Sequence, residues 1–142
     1  MKLLIVSCGL TKQPGTHQAH ALYTGCLFRA ASSYAADGHR WVILSALHGL
    51  IEPSALIEAY DLSMADRLRQ QPAQLAAYRA EVHQQLLRIC RAEAIEAIEL
   101  HTGRLYADLV RACSPVPVSD PLCGLTVGRR LQWYKHNRKV HQ

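Results

Sequence analysis

Short apolar runs, each ended by small or polar residues, recur along the chain. The first is 3–6, the second is 41–44, a third covers 94–100, and a fourth covers 115–118. Unbroken runs of this length are typical of strands buried on both faces of a parallel sheet. The fourth run contains two prolines, which predict an edge strand because proline cannot donate a ladder hydrogen bond.

Segments with helical spacing of apolar residues separate these strands. They cover 21–36, 72–91, 104–112 and 127–139. Gly25 leaves two possibilities for the start of the first helix, since glycine inside a helix costs about 1 kcal/mol of stability against alanine. Either this helix packs closely on a neighbour at Gly25, or it begins after Gly25 and leaves Tyr23 and Thr24 in a loop.

The order of strands and helices predicts the fold class. Strict β-α alternation, four times over, indicates an α/β protein with a four-stranded, mostly parallel sheet between helices and right-handed crossovers. The chain has 142 residues, of which 49% are hydrophobic and 19% charged. We therefore expect one globular domain, 1–142, with a basic C-terminal helix and tail at 126–142.

Several classes of protein are disfavoured by composition. The first apolar run is too short for a secretory signal or a membrane span, so a cytoplasmic protein without membrane contact is expected. The five cysteines are odd in number and form no Cys-x-x-Cys pair. We expect no disulfide framework, no metal site and no cofactor.

The net charge of +5 arises from one end of the chain. Residues 126–142 contain five basic residues and no acidic one, whereas basic and acidic residues balance over 1–125. Such a segment suits a nucleic-acid backbone, because each phosphate contact releases counterions. Arg129, Arg130 and Lys135 are the predicted DNA contacts. A solvated end is the alternative, which we favour for the last few residues.

Candidate functional residues follow the strands at the point where each ends. In open α/β sheets, ligands bind in the crevice beyond the carboxyl ends of the strands. Because parallel strands end at one edge, we expect the residues after the first three strands to meet there. They are Ser7, Cys8, Gly9, Lys12, Ser45, His48, His101 and Gly103.

Six motifs, in order, give the chain a resemblance to a known family. They are Ser7-Cys8-Gly9, Leu22-Tyr23-Thr24-Gly25 with Phe28, Ile43-Leu44-Ser45-Ala46 with His48-Gly49-Leu50, Tyr60-Asp61-Leu62, His101-x-Gly103 with Tyr106, and Pro121-Leu122-x-Gly124-Leu125 with Gly128. The set resembles a bacterial and phage domain family of unknown function. That family is remotely similar to the uracil-DNA-glycosylase fold and to defence glycosylases that excise modified, glucosylated bases from phage DNA.

The resemblance implies a fold and an activity. The fold is a three-layer α/β/α sandwich, and the activity is removal of a modified base, such as glucosylated hydroxymethylcytosine, from double-stranded phage DNA. Uracil-DNA glycosylases proper carry Gly-Gln-Asp-Pro-Tyr after their first strand, where this chain has Ser7-Cys8-Gly9. Their His-Pro-Ser loop is absent as well, so no catalytic residue transfers from them.

Cleavage of an N-glycosidic bond calls for a carboxylate, which stabilises an oxocarbenium-like sugar or activates water. Asp61 is the first candidate, Glu58 the second and Asp120 the third. The alternative for Asp61 is a helix cap, since Asp61-Leu62-Ser63 could open a helix.

Other residues suit binding of a flipped base. Tyr23 and Tyr60 could stack on it, with core packing as the alternative. His48 and His101 could each reach the leaving base or a phosphate. His48 is the candidate for a catalytic role, and His101 is the candidate for substrate binding. Lys12 could bind phosphate or form an imine with the sugar. Cys8 ranks as a small residue that lines the pocket, beside Thr24.

Two other functions remain open at this point. One is a nucleotide- or sugar-processing enzyme of base hypermodification that uses the same crevice on a free nucleotide. The other is a non-enzymatic DNA-binding module. Binding to duplex DNA is expected of the glycosylase and not of the nucleotide-processing enzyme. Formation of abasic sites is expected of the glycosylase and not of the non-enzymatic module.

Overall fold

Seven strands and six helices make up the secondary structure between Lys2 and Asn137. The computed structural model describes residues 1–137. Its elements are β1 Lys2–Ser7, β2 Thr16–Gln18, α1 Ala19–Leu22, α2 Cys26–Ala36, β3 Arg40–Ser45, β4 Gly49–Ile51, β5 Leu56–Glu58, α3 Met64–Leu68, α4 Pro72–Ala92, β6 Ala97–His101, α5 Arg104–Cys113, β7 Val118–Ser119 and α6 Val127–Asn137. The predicted last helix reached 139, and its final two residues lie outside the described range.

The central sheet has five strands, not the predicted four, in the order β4-β3-β1-β6-β7. β1 is parallel to both β3 and β6, and β7 is parallel to β6 at the predicted edge. The extra strand, β4, runs antiparallel to β3. Gly49 adopts a φ of +71° where the chain reverses, a conformation that favours glycine. The prediction missed this tight return because β4 is only three residues long.

Helices cover both faces of the sheet, as predicted, and form the outer two of three layers. Side chains alternate along β1, so Leu3 and Ile5 face one core while Leu4 and Val6 face the other. α4 and α5 pack on the first core. α2 and α6 pack on the second core. No helix among residues 1–137 is long and apolar enough to cross a membrane.

The parallel register brings three strand ends to one edge. Ser7 pairs with Leu44 of β3, one residue before Ser45, and Val6 pairs with His101 of β6. The expectation that Ser7, Ser45 and His101 share an edge is therefore confirmed.

Gly25 lies directly before a helix and not inside one. α2 begins at Cys26, so Tyr23 and Thr24 lie in the connection after the short α1, and Tyr23 forms a β-bridge with Lys12. A separate two-stranded antiparallel ribbon pairs β2 with β5, and the sequence pattern did not predict it. It carries Glu58 at its end.

The helix cap after β5 is Ser63, not Asp61. The Ser63 hydroxyl accepts from the N–H of Asp66, and the Asp66 carboxylate accepts from the N–H of Ser63. This reciprocal capping box opens α3. The alternative role of Asp61 as a cap is therefore wrong.

Candidate functional site

Cys8 lies directly after β1, at the carboxyl edge of the sheet. Its Sγ is 3.0 Å from the hydroxyl of Tyr106, which belongs to the first turn of α5. The backbone N–H of Cys8 donates to Leu44 O at 3.0 Å, so the residue keeps the direction of the strand. A half-buried thiol thus faces a phenol at the place where the sequence predicts a ligand.

A chain of three hydroxyl groups lies next to this pair. Tyr60 Oη is 2.6 Å from Ser45 Oγ and 2.6 Å from Tyr23 Oη. Ser45 Oγ also accepts from the backbone N–H groups of Leu47 and His48, at 3.1 and 3.2 Å. Tyr78 of α4 donates to the carbonyl oxygen of Ser45 at 2.8 Å. We call Cys8, Tyr23, Ser45, Tyr60, Tyr78 and Tyr106 the edge cluster.

The phenols of the edge cluster are poor acids. Burial raises the pKa of Tyr23 to about 12, and the nearby Cys8 adds to the shift. Burial, followed by Cys8, also raises the pKa values of Tyr60, Tyr78 and Tyr106. These hydroxyls stay protonated near neutral pH, so they act as hydrogen-bond donors and not as general bases.

The loop after β3 presents His48 beside the edge cluster. Arg67 of α3 donates to Ala46 O at 2.7 Å and to Leu47 O at 3.2 Å, which holds the loop from one side. On the other side, Gln85 accepts from the N–H of Leu50 at 2.7 Å. The His48 ring is edge-on to Tyr60, with centroids 5.5 Å apart. Desolvation lowers the pKa of His48, which favours the neutral imidazole.

Lys12 contributes a positive charge next to the tyrosine rings of the cluster. Its Nζ is 4.5 Å from the centroid of the Tyr60 ring and 5.8 Å from that of Tyr23. Cation–π contacts at these distances are attractive. The half-buried ammonium therefore lies over the same hydroxyl-bearing rings.

A small cavity opens on the other side of Cys8, between β1, β6 and the helices of the second core. Its volume is about 90 Å³. The polar part of the wall comes from Ser7, Cys8, Gly9, His101, Thr102, Gly103 and Arg130. Arg130 donates to Thr102 O at 2.8 Å and to Leu125 O at 3.2 Å, which brings α6 to the cavity.

His101 lines the small cavity, but its ring is held by hydrogen bonds within the protein. It is 3% exposed, and both ring nitrogens are hydrogen-bonded, Nε2 to Glu99 at 2.7 Å and Nδ1 to the Tyr134 hydroxyl at 2.8 Å. Glu99 also accepts from Lys2 at 3.0 Å. The hydrogen bond from His101, with Lys2, lowers the pKa of Glu99 to about 2. The residue therefore fixes α6 to the sheet.

The three candidate carboxylates occupy different environments. Asp61 and Glu58 are exposed, and neither carboxylate forms a hydrogen bond or ion pair within residues 1–137. The Asp120 side chain is 6% exposed and pairs with Arg111 at 3.2 Å. Asp61 follows Tyr60 directly, so of the three it is joined most closely to the edge cluster.

Tyr23 cannot stack on a base in this conformation, because the residue is 1% exposed. Its ring contacts Phe28 and Tyr60 instead. Tyr60 is half-buried and keeps accessible surface. Of the two predicted stacking residues, only Tyr60 has a ring that a ligand can contact.

Other predicted residues lie around the same edge. Ser7, Gly9 and Thr24 are half-buried, and Gly103 is exposed at the start of α5. On α6, Arg129 and Lys135 are exposed, whereas Arg130 is turned inward. No group of three or more His, Cys, Asp or Glu side chains is placed to hold a metal among residues 1–137.

Sequence reasoning assigned no role to Tyr78, Tyr106 or Thr102. Tyr78 belongs to the apolar stripe of α4, where a tyrosine with a buried hydroxyl partner has the same pattern as a packing residue. Tyr106 and Thr102 lie close to the predicted His101 and Gly103. Their position after β6 was a signal that could have included them.

The fold and the site together define an α/β/α protein with a hydroxyl-rich cluster and a small cavity at the carboxyl edge of its sheet. The chain belongs to a family of unknown function, DUF6884, which matches residues 3–136. No curated protein matches the chain.

A solved structure shares the fold. The crystal structure of AF0587, a protein of unknown function, is similar with a TM-score of 0.54 and 13% sequence identity. The similarity covers 99% of this chain and 45% of the other, so this chain spans less than half the length of AF0587. At this identity the likeness supports the fold alone.

Proposed function

We propose that the protein is a DNA glycosylase that removes a modified base, such as glucosylated hydroxymethylcytosine, from phage DNA in antiviral defence. One observation carries the proposal: the edge cluster lies at the carboxyl edge of the sheet, and its Cys8 lines the small cavity together with Arg130 of the basic α6. Enzymes that remove bases need a polar pocket for the flipped base and a cationic surface for the flanking phosphates.

The groups around the edge cluster suit recognition of a base. Tyr60 and His48 offer ring surfaces at right angles to each other, and a base can stack on the accessible part of either. The hydroxyl of the half-buried Tyr60 offers a hydrogen bond to its edge, whereas the predicted contact Ser45 is buried and instead holds that hydroxyl in place. Lys12 supplies positive charge next to Tyr60.

Asp61 is the proposed catalytic carboxylate. Water attacks C1′ of the sugar while the C1′–N bond breaks, and the bonding electrons leave with the base. Asp61 accepts the proton from water and stabilises the cationic sugar. The base takes up a proton from solvent or from His48, which is protonated in a fraction of molecules. Glu58 is the second candidate for the carboxylate.

Release of a base tests the proposal directly. The purified protein is incubated with phage DNA that carries glucosylated hydroxymethylcytosine and with the same sequence unmodified, and released bases are identified by mass spectrometry. We expect release from the modified DNA alone, with abasic sites in equal amount. Duplex binding without release would support a non-enzymatic module. Turnover of free nucleotides without duplex binding would support a nucleotide-processing enzyme.

A further inference from the structure

We propose that the cavity at the start of α5 is a phosphate-binding subsite. It holds the phosphate group of the nucleotide whose base contacts the edge cluster, so it rests on the proposed function in its choice of ligand. The cavity volume is about 90 Å³. A water molecule takes about 30 Å³ of liquid, so this space suits an ion the size of phosphate.

A buried hydroxyl without a partner points to a missing ligand. Thr102 lines the cavity and is 2% exposed. Its Oγ1 has no hydrogen-bond partner within residues 1–137. Buried polar atoms in folded proteins are nearly always hydrogen-bonded, so this hydroxyl calls for a partner from outside the chain.

Two helices begin at this cavity without a side-chain cap. α5 has Gly103 as its N-cap, α2 has Gly25, and neither helix has an acidic residue in its first turn. Leu27 and Phe28, from the first turn of α2, line the cavity together with Gly103. The free N–H groups and the positive end of each helix dipole favour an anion there.

Arg130 adds a full positive charge that is already oriented. Two of its five N–H donors bind the carbonyl oxygens of Thr102 and Leu125, which leaves three for a ligand. No carboxylate among residues 1–137 forms an ion pair with it. A guanidinium held in this way suits a phosphate oxygen pair.

Gly103→Asp is the sharpest test of the subsite. A Cβ at this position has no atom within 4 Å, and the φ of −72° accepts any residue. The new carboxylate caps α5 and places negative charge where the phosphate would bind. We expect a higher melting temperature without phosphate. We also expect loss of the rise that inorganic phosphate causes in the parent protein at constant ionic strength.

Gly103→Asn is the matched control. Asparagine caps a helix as well as aspartate does but carries no charge. This variant should be stabilised and should keep its response to phosphate. An equal response in the Asp and Asn variants would overturn the subsite. So would a parent protein whose melting temperature rises equally with chloride.

Thr102→Val gives an independent measurement. Valine keeps the shape of threonine and removes the unpartnered hydroxyl. We expect an unchanged or higher melting temperature and phosphate binding weaker by about tenfold, measured by ³¹P NMR titration. Lower stability with unchanged phosphate affinity would show that the hydroxyl has a structural partner and would contradict the proposal.

The source of the phosphate is decided by competition. Deoxynucleoside monophosphates and duplex DNA are each titrated against bound inorganic phosphate. Displacement by DNA assigns a backbone phosphate, and displacement by monophosphates alone assigns a free nucleotide. Phosphate binding that responds to Gly103→Asp without base release from any DNA leaves the subsite intact and removes the glycosylase. Base release without phosphate binding would support the glycosylase and overturn the phosphate subsite.

Discussion

Tyr60 lies in the middle of the hydroxyl chain that joins the loop after β5 to the end of β3. Its Oη contacts Tyr23 on one side and Ser45 on the other, and both of these residues are buried. These hydrogen bonds between hydroxyl groups therefore stabilise the folded protein as well as the shape of the site.

Tyr60→Phe should destabilise the protein by about 1–3 kcal/mol, because two buried hydroxyls lose a partner. Tyr34→Phe is the matched control, since the Tyr34 hydroxyl forms no hydrogen bond within residues 1–137. Urea unfolding of both variants measures the difference. Equal stabilities would show that the hydroxyl chain contributes nothing net.

Asp61→Asn should lower the rate of base release about a hundredfold or more, since the amide neither accepts a proton nor carries charge. The fold should be retained because Asp61 is exposed, and DNA binding should be equal or tighter. Single-turnover kinetics with modified DNA measure the loss.

Ser63→Ala is the control for this change. It removes the actual cap of α3, which should cost about 1 kcal/mol of stability and leave the rate of base release close to that of the parent. A rate for Asp61→Asn within a few-fold of the parent would transfer the role to Glu58.

At the scale of elements, the basic α6 is attached to the sheet by polar contacts. Tyr134 binds His101, His101 binds Glu99, and Glu99 binds Lys2 of β1. Trp133 and Tyr34 surround the His101 ring. The charge of Glu99 is therefore coupled to the placement of the helix that is predicted to contact DNA.

The lowered pKa of Glu99 predicts an acid-sensitive part of the stability. The pKa of Glu99 is 4.5 in the unfolded chain and about 2 in the folded protein. Ionised Glu99 therefore stabilises the folded state fully above pH 4.5, and this stabilisation is lost as the pH falls toward 2. Glu99→Gln should remove roughly 2–3 kcal/mol of this dependence, measured by urea unfolding across the acid range. Glu96→Gln is the control, because that side chain is 82% exposed. Equal acid dependence in the two variants would contradict the role of Glu99.

At the scale of the molecule, three of the basic residues that produce the surplus charge, Arg129, Arg130 and Lys135, lie on α6. α6 packs with α2 on the second core, whereas α4 and α5 cover the first. Within α6, Arg129 and Lys135 are exposed, and Arg130 is held by carbonyl oxygens near the cavity. The face that carries α6 is therefore the one predicted to contact DNA.

Arg129→Ala with Lys135→Ala should weaken duplex binding and reduce the slope of log affinity against log salt by about two. Arg88→Ala with Arg91→Ala is the control, because these exposed residues lie on α4, across the sheet. Fluorescence anisotropy at several salt concentrations measures both slopes. Equal slopes for the two double variants would show that α6 does not contact phosphate.

The sequence by itself determined the alternation of elements and the shared edge of β1, β3 and β6. Local patterns suffice there, because buried parallel strands are unbroken apolar runs and their carboxyl ends must coincide. The prediction failed for β4 and for the β2–β5 ribbon. Strands of two or three residues take their conformation from the partner strand and not from their own composition.

Tertiary structure alone decided which candidate side chains are held by partners inside the protein and which stay accessible. The position of His101 after a strand made it a candidate ligand contact, yet both ring nitrogens are hydrogen-bonded inside the protein, one to Glu99 and one to Tyr134, which lies on α6 over thirty residues later. Tyr60 reaches Ser45 only because the chain between them folds back across the edge. Burial and hydrogen-bond partners come from segments distant in the chain, and no periodicity within a segment encodes them.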